Sequence, residues 1–571
     1  MKNKFPKDTE ALLKWTWKEV QPFYQELRER DLNEGSVDAW LKDWSDLASH
    51  LDELYTRLFI ATTQYTADAE IERRFNDFIE SIQPNAKAAE QELKKKLLGS
   101  ALQPRDFELP LRKMRTEAGL FRAENLPLIT EEQKLAGEYN KIIGSITYRW
   151  NGEERTTPEM MPLLQEKERE TREKAWKLIV AGRLAKREEL LELWEKLMKV
   201  RLQMADQHGS ADYRAYIWEQ KFRFDYSPQD CKDFHRAIEE VVVPVAKRVL
   251  ERHKSRLGLD HMRPWDTSVD PFGDNPLRPF TNSSELQEKT KNILERVDPE
   301  FSAYFASMIQ HGLLDLEARK NKAPGAYSLG YAAVRQPFIF MSSAGTHEDA
   351  LTLLHECGHA VHEFERAKIE YFQHRSENYL PAEFAEVASM GMELLAAPFL
   401  TCDQGGFYTE EEAARARIQQ LEDIISFWPY MALVDAFQHW VFENPTQSID
   451  GTLCEGKWVE LWGRFMPGVD YDGLEDGKKT IWLRQAHIFT TPFYYIEYGM
   501  AQLGAAQVWA NSIKDYRAAV QAYKKSLALG SRVGLPMLFE TAGAKFAFDP
   551  ATLKYSVDLM EKTIAELEAR L

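Results

Sequence analysis

Cysteine is scarce in this chain: Cys231, Cys357, Cys402 and Cys454 are the four among 571 residues. They are widely scattered, and no two stand at the spacing of a disulfide scaffold or a zinc finger, which points to a reducing compartment. A basic surplus is also missing. The 73 lysines and arginines are outnumbered by 90 aspartates and glutamates, for a formal net charge of −17. Nucleic-acid binders carry basic stripes, so nucleic acid is not an expected partner. No apolar run approaches the roughly 18 residues of a membrane span. The opening MKNKFPKDTEALLKW lacks the apolar core of a signal peptide. A cytoplasmic location is therefore expected. Internal repeats and low-complexity tracts do not stand out. What remains is 44% hydrophobic and 29% charged, an ordinary globular composition, in a chain long enough for more than one domain.

The most informative stretch is THEDALTLLHECGHAVHEFER, 346–366. Thr346 can cap a helix, with Asp349 completing a capping box, and Ala350, Leu353, Leu354 and Val361 form an apolar stripe at helical spacing. On that helix His355 and His359, four residues apart, stand on one face and can share one ion. Glu356 is turned about 100° from His355, where a general base for an activated water belongs. H-E-x-x-H by itself is a weak pattern. A helix with this many apolar neighbours is nevertheless a poor setting for two merely solvated histidines. His362 lies about 10.5 Å along the axis from His355, too far for easy sharing of one small ion, and reads as a packed histidine. Glu365 occupies the place of the third histidine in the longer version of the pattern. Cys357 reads as a small core residue.

A catalytic zinc ion usually takes three protein ligands. The stretch PAEFAEVASMGMEL, 381–394, reads as a helix opened by Pro381 and carries Glu383, Glu386 and Glu393 among apolar residues. Buried carboxylates need partners, and a dication with its histidines supplies them. Glu386 is assigned as third ligand, with Glu383 as the competing choice. Glu393 is assigned outside the ligand set, accepting the second ring N–H of a ligand histidine.

HECGHAVH at 355–362, FAEVASM at 384–390, GAYSLGY at 325–331, DAFQHWVFENP at 435–445 and HIFTTPFYYIEYGMAQLGA at 487–505 together resemble the thimet-oligopeptidase family (M3) of zinc metallopeptidases. The resemblance is nearest to the bacterial oligoendopeptidase F and Pz-peptidase group. It covers most of 200–510, and the N-terminal part matches only as a helical region of fitting length. It implies one zinc ion held by His355, His359 and Glu386, with Glu356 as the base, and it selects Glu386 over Glu383 through FAEVASM. It also implies a histidine and tyrosines at the catalytic centre. His487 and Tyr498 are the best matches here, while the choice between Tyr494 and Tyr495 stays open. Phenol and imidazole donors beside the reacting carbonyl can stabilise an oxyanion.

Along the chain, 8 to about 100 reads as long amphipathic helices, with Trp40, Trp44, Leu47, Leu51 and Leu54 at helical spacing. Pro104 and Pro110 bracket a connector. Asn151-Gly152 in ITYRWNGEERTT marks a hairpin. The charges of 161–209 read as a solvated face laced with i,i+4 pairs, stopped at His208-Gly209. A helix over 228–257 contains Pro244, and 263–280 reads as a long loop packed by Trp265 and Phe272. Phe338, Ile339 and Phe340 suggest a short strand whose edge either binds an extended peptide or is only structural. Gly325–Tyr331 reads as flexible backbone able to approach a ligand. His439, in a helix over 408–445, reads as a satisfied core residue. Pro492 reads as the start of a helix on which Tyr494 and Tyr498 share a face, and the remainder as closing helices begun at Asp549-Pro550.

The expected fold is mainly α-helical, with a zincin-type catalytic region and a few short strands. The resemblance implies two helical lobes around a deep substrate channel. The division drawn is an N-terminal helical region, 1–205, and a catalytic region, 206–571. The expected activity is zinc-dependent cleavage of internal bonds in short unfolded peptides, with cationic ones only weakly favoured by the acidic surface. An exo-acting zinc peptidase, either carboxydipeptidase or aminopeptidase, and a non-catalytic zinc-dependent peptide-binding module are the alternatives.

Overall fold

The computed structural model describes residues 4–6, 8–273 and 276–571. Two positions of the 263–280 loop, 274 and 275, and parts of the N-terminal stretch thus lie outside the described residues. The architecture is mainly helical with five short strands among the described residues. The chain forms two compact units, each assembled from three segments. One comprises Met1–Thr116, Leu277–Ala413 and Gly504–Phe546, the other Glu117–Pro276, Ala414–Leu503 and Ala547–Leu571. Both units thus draw on residues from either side of position 205.

In the first unit the N-terminal helices follow the apolar periodicity. Val37–Gln64 buries Trp40, Trp44, Leu47, Leu51 and Leu54 against Val20, Phe23 and Leu27 of Trp17–Glu29. These two indoles satisfy their N–H groups inside, Trp40 on the Leu27 carbonyl (2.8 Å) and Trp44 on Glu90 (2.9 Å), as buried tryptophans usually do. Pro110 lies in the first turn of the helix Glu108–Leu120, where its missing N–H costs nothing.

The same unit holds a three-stranded sheet of β3 (Leu314–Glu317), β4 (Ala326–Tyr331) and β5 (Gln336–Ser343), in the order β3-β5-β4. The order corrects two sequence expectations. The strand containing Phe338–Phe340 is central, paired in parallel with β3 and antiparallel with β4, so it presents no edge. Its unbroken apolar run is what a strand buried on both faces requires. The Gly325–Tyr331 stretch is not loose backbone; from Ala326 it is β4, at the sheet's edge.

In the second unit β1 (Thr147–Trp150) and β2 (Glu153–Thr156) form the hairpin, closed by Asn151 and Gly152, both at positive φ. Such two-residue turns match the twist of paired strands. Arg187–His208 stops at left-handed Gly209, and Pro228–Arg256 runs through Pro244. The 3-10 turn Pro264–Asp266, beyond that helix, buries Trp265, and Asp266 is ion-paired to Arg169 and Arg172. The charged stretch 161–209 is not wholly solvated. Glu173–Lys177 and Glu195–Lys199 pair at i,i+4, but Arg172, Arg183 and Arg201 are buried. Helical periodicity does not distinguish an arginine that snorkels out from one that points into the fold to bind carbonyls.

Candidate metal centre

The motif helix, His347–Arg366, begins as its sequence dictates: Thr346 and Asp349 form the reciprocal capping box. Its inner face buries Leu353, Leu354, Cys357, Ala360 and Val361. Against it lies the glutamate helix, Ala382–Ala396, with Pro381 as its cap, one position earlier than a first-turn proline. Gly358 makes that contact possible. A Cβ there would sit 2.4 Å from the Ala388 carbonyl oxygen and 2.6 Å from Ser389 Cα, distances no side chain tolerates.

This close approach brings three groups together. Ligand atoms of His355, His359 and Glu386 all lie within 4.8 Å of one another. Nε2 of each histidine is 3.5 Å from Glu386 Oε2. Glu386 Oε2 also accepts from the Ser389 hydroxyl at 2.9 Å, which orients it toward the rings. Glu393 accepts from His355 Nδ1 at 2.7 Å, leaving Nε2 as the ligating nitrogen. Glu383 is buried nearby in sequence but is not in the cluster. Three residues separate it from Glu386, so its side chain leaves the helix about 60° away.

Charge in this cluster is shared. Burial pulls the His355 imidazole down, but Glu386 and Glu393 outweigh it and hold the ring well above its ordinary pKa. Burial pushes the Glu386 carboxyl up, but His355 and His359 outweigh it and hold it well below the usual carboxylate range. Glu356 is 6% exposed, and burial raises its pKa. Its Oε2 is buried without a hydrogen-bond partner. Two imidazoles, a carboxylate and an adjacent unsatisfied carboxylate oxygen fit a zinc ion and a polarised water. His362 is buried outside the cluster. It lines a cavity of about 200 Å³ with Ser328 and Gly330 of β4 and His359, Glu363 and Arg366 of the motif helix.

In the second unit, His487, Tyr494, Tyr495 and Tyr498 form one ring cluster. The His487 ring centre lies 5.7, 5.1 and 6.1 Å from those of the three tyrosines. The helix begins at Tyr495, not at Pro492, because Phe493 has φ +60° and interrupts it. Such backbone persists only where its surroundings hold it. The Phe493 N–H donates to Gln438 Oε1 (2.8 Å), and its carbonyl accepts from Arg223. The Tyr430 hydroxyl fixes the Gln485 amide, whose Nε2 lies 3.0 Å from His487 Nδ1. Burial lowers the pKa of His487, so the neutral ring accepts at Nδ1 and carries its proton on Nε2. Sequence reasoning missed Arg201, fully buried, which donates to the carbonyls of Ile488 and Phe489 and so anchors the short helix bearing His487. Its only sequence signal was one arginine among many.

The model of peptidase family M3 matches residues 162–556, and that of the peptidase M3 N-terminal domain matches 13–105. The chain belongs to peptidase family M3. It is similar to an oligoendopeptidase F homolog of Borreliella burgdorferi, 26% identical over 350 residues, covering 59% of this chain and 54% of that protein. It is also similar to the oligopeptidase PepF of Bacillus subtilis, 23% identical over 341 residues, covering 58% and 48%. The match thus spans about half the length of these curated M3 relatives. Among solved structures, Pz peptidase A with an inhibitor superposes with TM-score 0.85 at 27% identity, covering 99% of this chain and 98% of that one.

Proposed function

We propose that this M3 chain is a zinc-dependent oligoendopeptidase, hydrolysing internal bonds of short unfolded peptides. The observation that carries the reading is the convergence of His355, His359 and Glu386 within 4.8 Å, beside a buried Glu356 oxygen lacking a partner. His355, His359 and Glu386 would hold the ion, which when bound supplies a Lewis acid for the carbonyl and acidifies a water from about 15.7 toward roughly 7. Glu393 holds His355 in the ligating tautomer. Glu356 takes the proton from the attacking water and later delivers it to the leaving amine; burial, which raises its proton affinity, suits both steps. The β4 edge lines the cavity beside His359 and offers main-chain groups to an extended peptide.

We assign catalytic parts to His487 and Tyr498 as well, with Tyr494 and Tyr495 as the remaining candidates. Their ring cluster and the Nε2 proton of His487 support a role as donors to the oxyanion. Internal cleavage rests on similarity to proteins named oligoendopeptidases. The few, scattered cysteines and the names of the bacterial relatives favour the cytoplasm.

The test is hydrolysis of an internally quenched peptide blocked at both ends. Cleavage abolished by a chelator and restored by zinc is expected, with intact casein resistant. Cleavage only of peptides with a free terminus supports the exo-acting alternative. Zinc-dependent peptide binding without turnover supports the binding module.

A further inference from the structure

A second set of metal-ligand side chains lies in the other unit, independent of the site above. The helix Pro228–Arg256 carries Cys231 and His235, and the helix Glu410–Glu443 carries Asp435 and His439. Within each pair the residues are four apart and share a helix face, as His355 and His359 do. All four are buried, Cys231 and Asp435 completely. The Cys231 Sγ, a carboxylate oxygen of Asp435 and a ring nitrogen of His439 lie within 4.8 Å of one another. His235 Nε2 lies 2.9 Å and His439 Nε2 3.2 Å from Asp435 Oδ2.

A hydrogen-bonded network alone leaves this cluster incomplete. Asp435 Oδ1 is buried without a hydrogen-bond partner, while His439 Nε2 reaches only the Oδ2 that His235 already shares. An unsatisfied oxygen in a carboxylate with no exposure is costly, and a cation among the three groups would satisfy it. A thiolate and a carboxylate together cancel the charge of a dication, which removes the main objection to burying it.

We propose that Cys231, Asp435 and His439 form a second, structural site for zinc or a similar borderline-soft divalent ion, with His235 as a positioning residue on the carboxylate. The thiolate excludes magnesium and calcium as natural occupants, since these take oxygen ligands. Binding releases the Cys231 thiol proton to solvent. His439 ligates through Nε2, so its ring proton moves to Nδ1. Arg214 Nη1, 3.3 Å from Nδ1, gives up that contact and keeps its ion pairs to Asp212 and Glu443. The ion then joins two helices that the chain order separates by some 200 positions, which is the use a buried site of this kind has.

Cobalt tests this without reference to activity. The full-length chain carrying His355→Ala and His359→Ala, which lacks the imidazoles of the first site, is stripped with a chelator and refilled with Co2+. One bound equivalent is expected, with a near-ultraviolet thiolate-to-cobalt charge-transfer band. The band should vanish in Cys231→Ser, and Asp435→Asn and His235→Asn should each weaken binding at least about tenfold, as loss of a ligand or an outer-shell partner does. Circular dichroism checks that each variant folds. No bound cobalt in the His355→Ala/His359→Ala chain, or a band that survives Cys231→Ser, overturns the proposal. Neither outcome depends on whether the wild-type chain cleaves peptides, so failure of this site and failure of the peptidase reading are told apart.

Discussion

His355 Nδ1 lies 2.7 Å from Glu393 Oε1, and this contact decides which ring nitrogen faces His359 and Glu386. Glu393 is 38 residues away from its partner. Glu393→Ala is expected to weaken zinc binding by about 10- to 100-fold while leaving the fold intact. Competition with a chromophoric chelator measures it. Unchanged affinity would show that His355 is oriented by packing alone.

Glu356→Gln preserves shape but not proton transfer. It is expected to keep one equivalent of zinc at the first site and lose at least about 100-fold in kcat. A variant purified free of other proteases that retains wild-type turnover would remove Glu356 from the mechanism. In the same assay His355→Ala, His359→Ala and Glu386→Ala should lose that zinc, while Glu383→Ala should retain it.

Gly358→Ala places a methyl group 2.4 Å from the Ala388 carbonyl. The two helices must separate, at a cost of about 1–3 kcal/mol by urea denaturation. Zinc affinity should fall with it, because the same displacement pulls Glu386 away from both histidines. Loss of stability without loss of affinity would mean that the strain is relieved elsewhere.

His487→Ala and Tyr498→Phe are each expected to lower kcat by about 100-fold with zinc content unchanged, the size of effect seen when one oxyanion donor is removed. Tyr494→Phe and Tyr495→Phe, tested side by side, identify the remaining donor. If all four variants turn over normally, the cluster is structural.

His374 makes stability fall in acid. Burial, and then the nearby Arg532 charge, lower its pKa from 6.5 to about 4. Its ring packs 4.4 Å from that of Phe107, and its Nε2 is buried without a partner. The unfolded chain takes up the proton first, so stability present above pH 6.5 is lost as pH falls from there toward 4. The full effect is about 3 kcal/mol. Melting temperatures at pH 7 and pH 5 should differ less in His374→Gln than in the wild type, and equal differences would reject the assignment.

Much of the candidate site was legible because it is local. The i,i+4 spacing of His355 and His359, the Thr346–Asp349 capping box and the Asn151-Gly152 turn are consequences of backbone geometry, which a few neighbouring residues express completely. The strand at Phe338–Phe340 was legible as a strand but not as the central one, because pairing order depends on segments remote in the chain. The Pro492 start failed for a related reason: the positive φ of Phe493 is held by Gln438 and Arg223, neither of them a neighbour.

Local spacing along the chain therefore determined that two imidazoles share a face and that a carboxylate flanks them, whatever the rest of the molecule does. Tertiary structure alone decided that Glu386 meets those imidazoles, through a helix contact that only a glycine at 358 permits. It also decided that Cys231 and Asp435 stand together and that Arg201 points inward to hold the His487 segment. The reason is physical. Helix geometry sets distances over four residues, whereas distances over forty or two hundred are set by which surfaces bury best against one another.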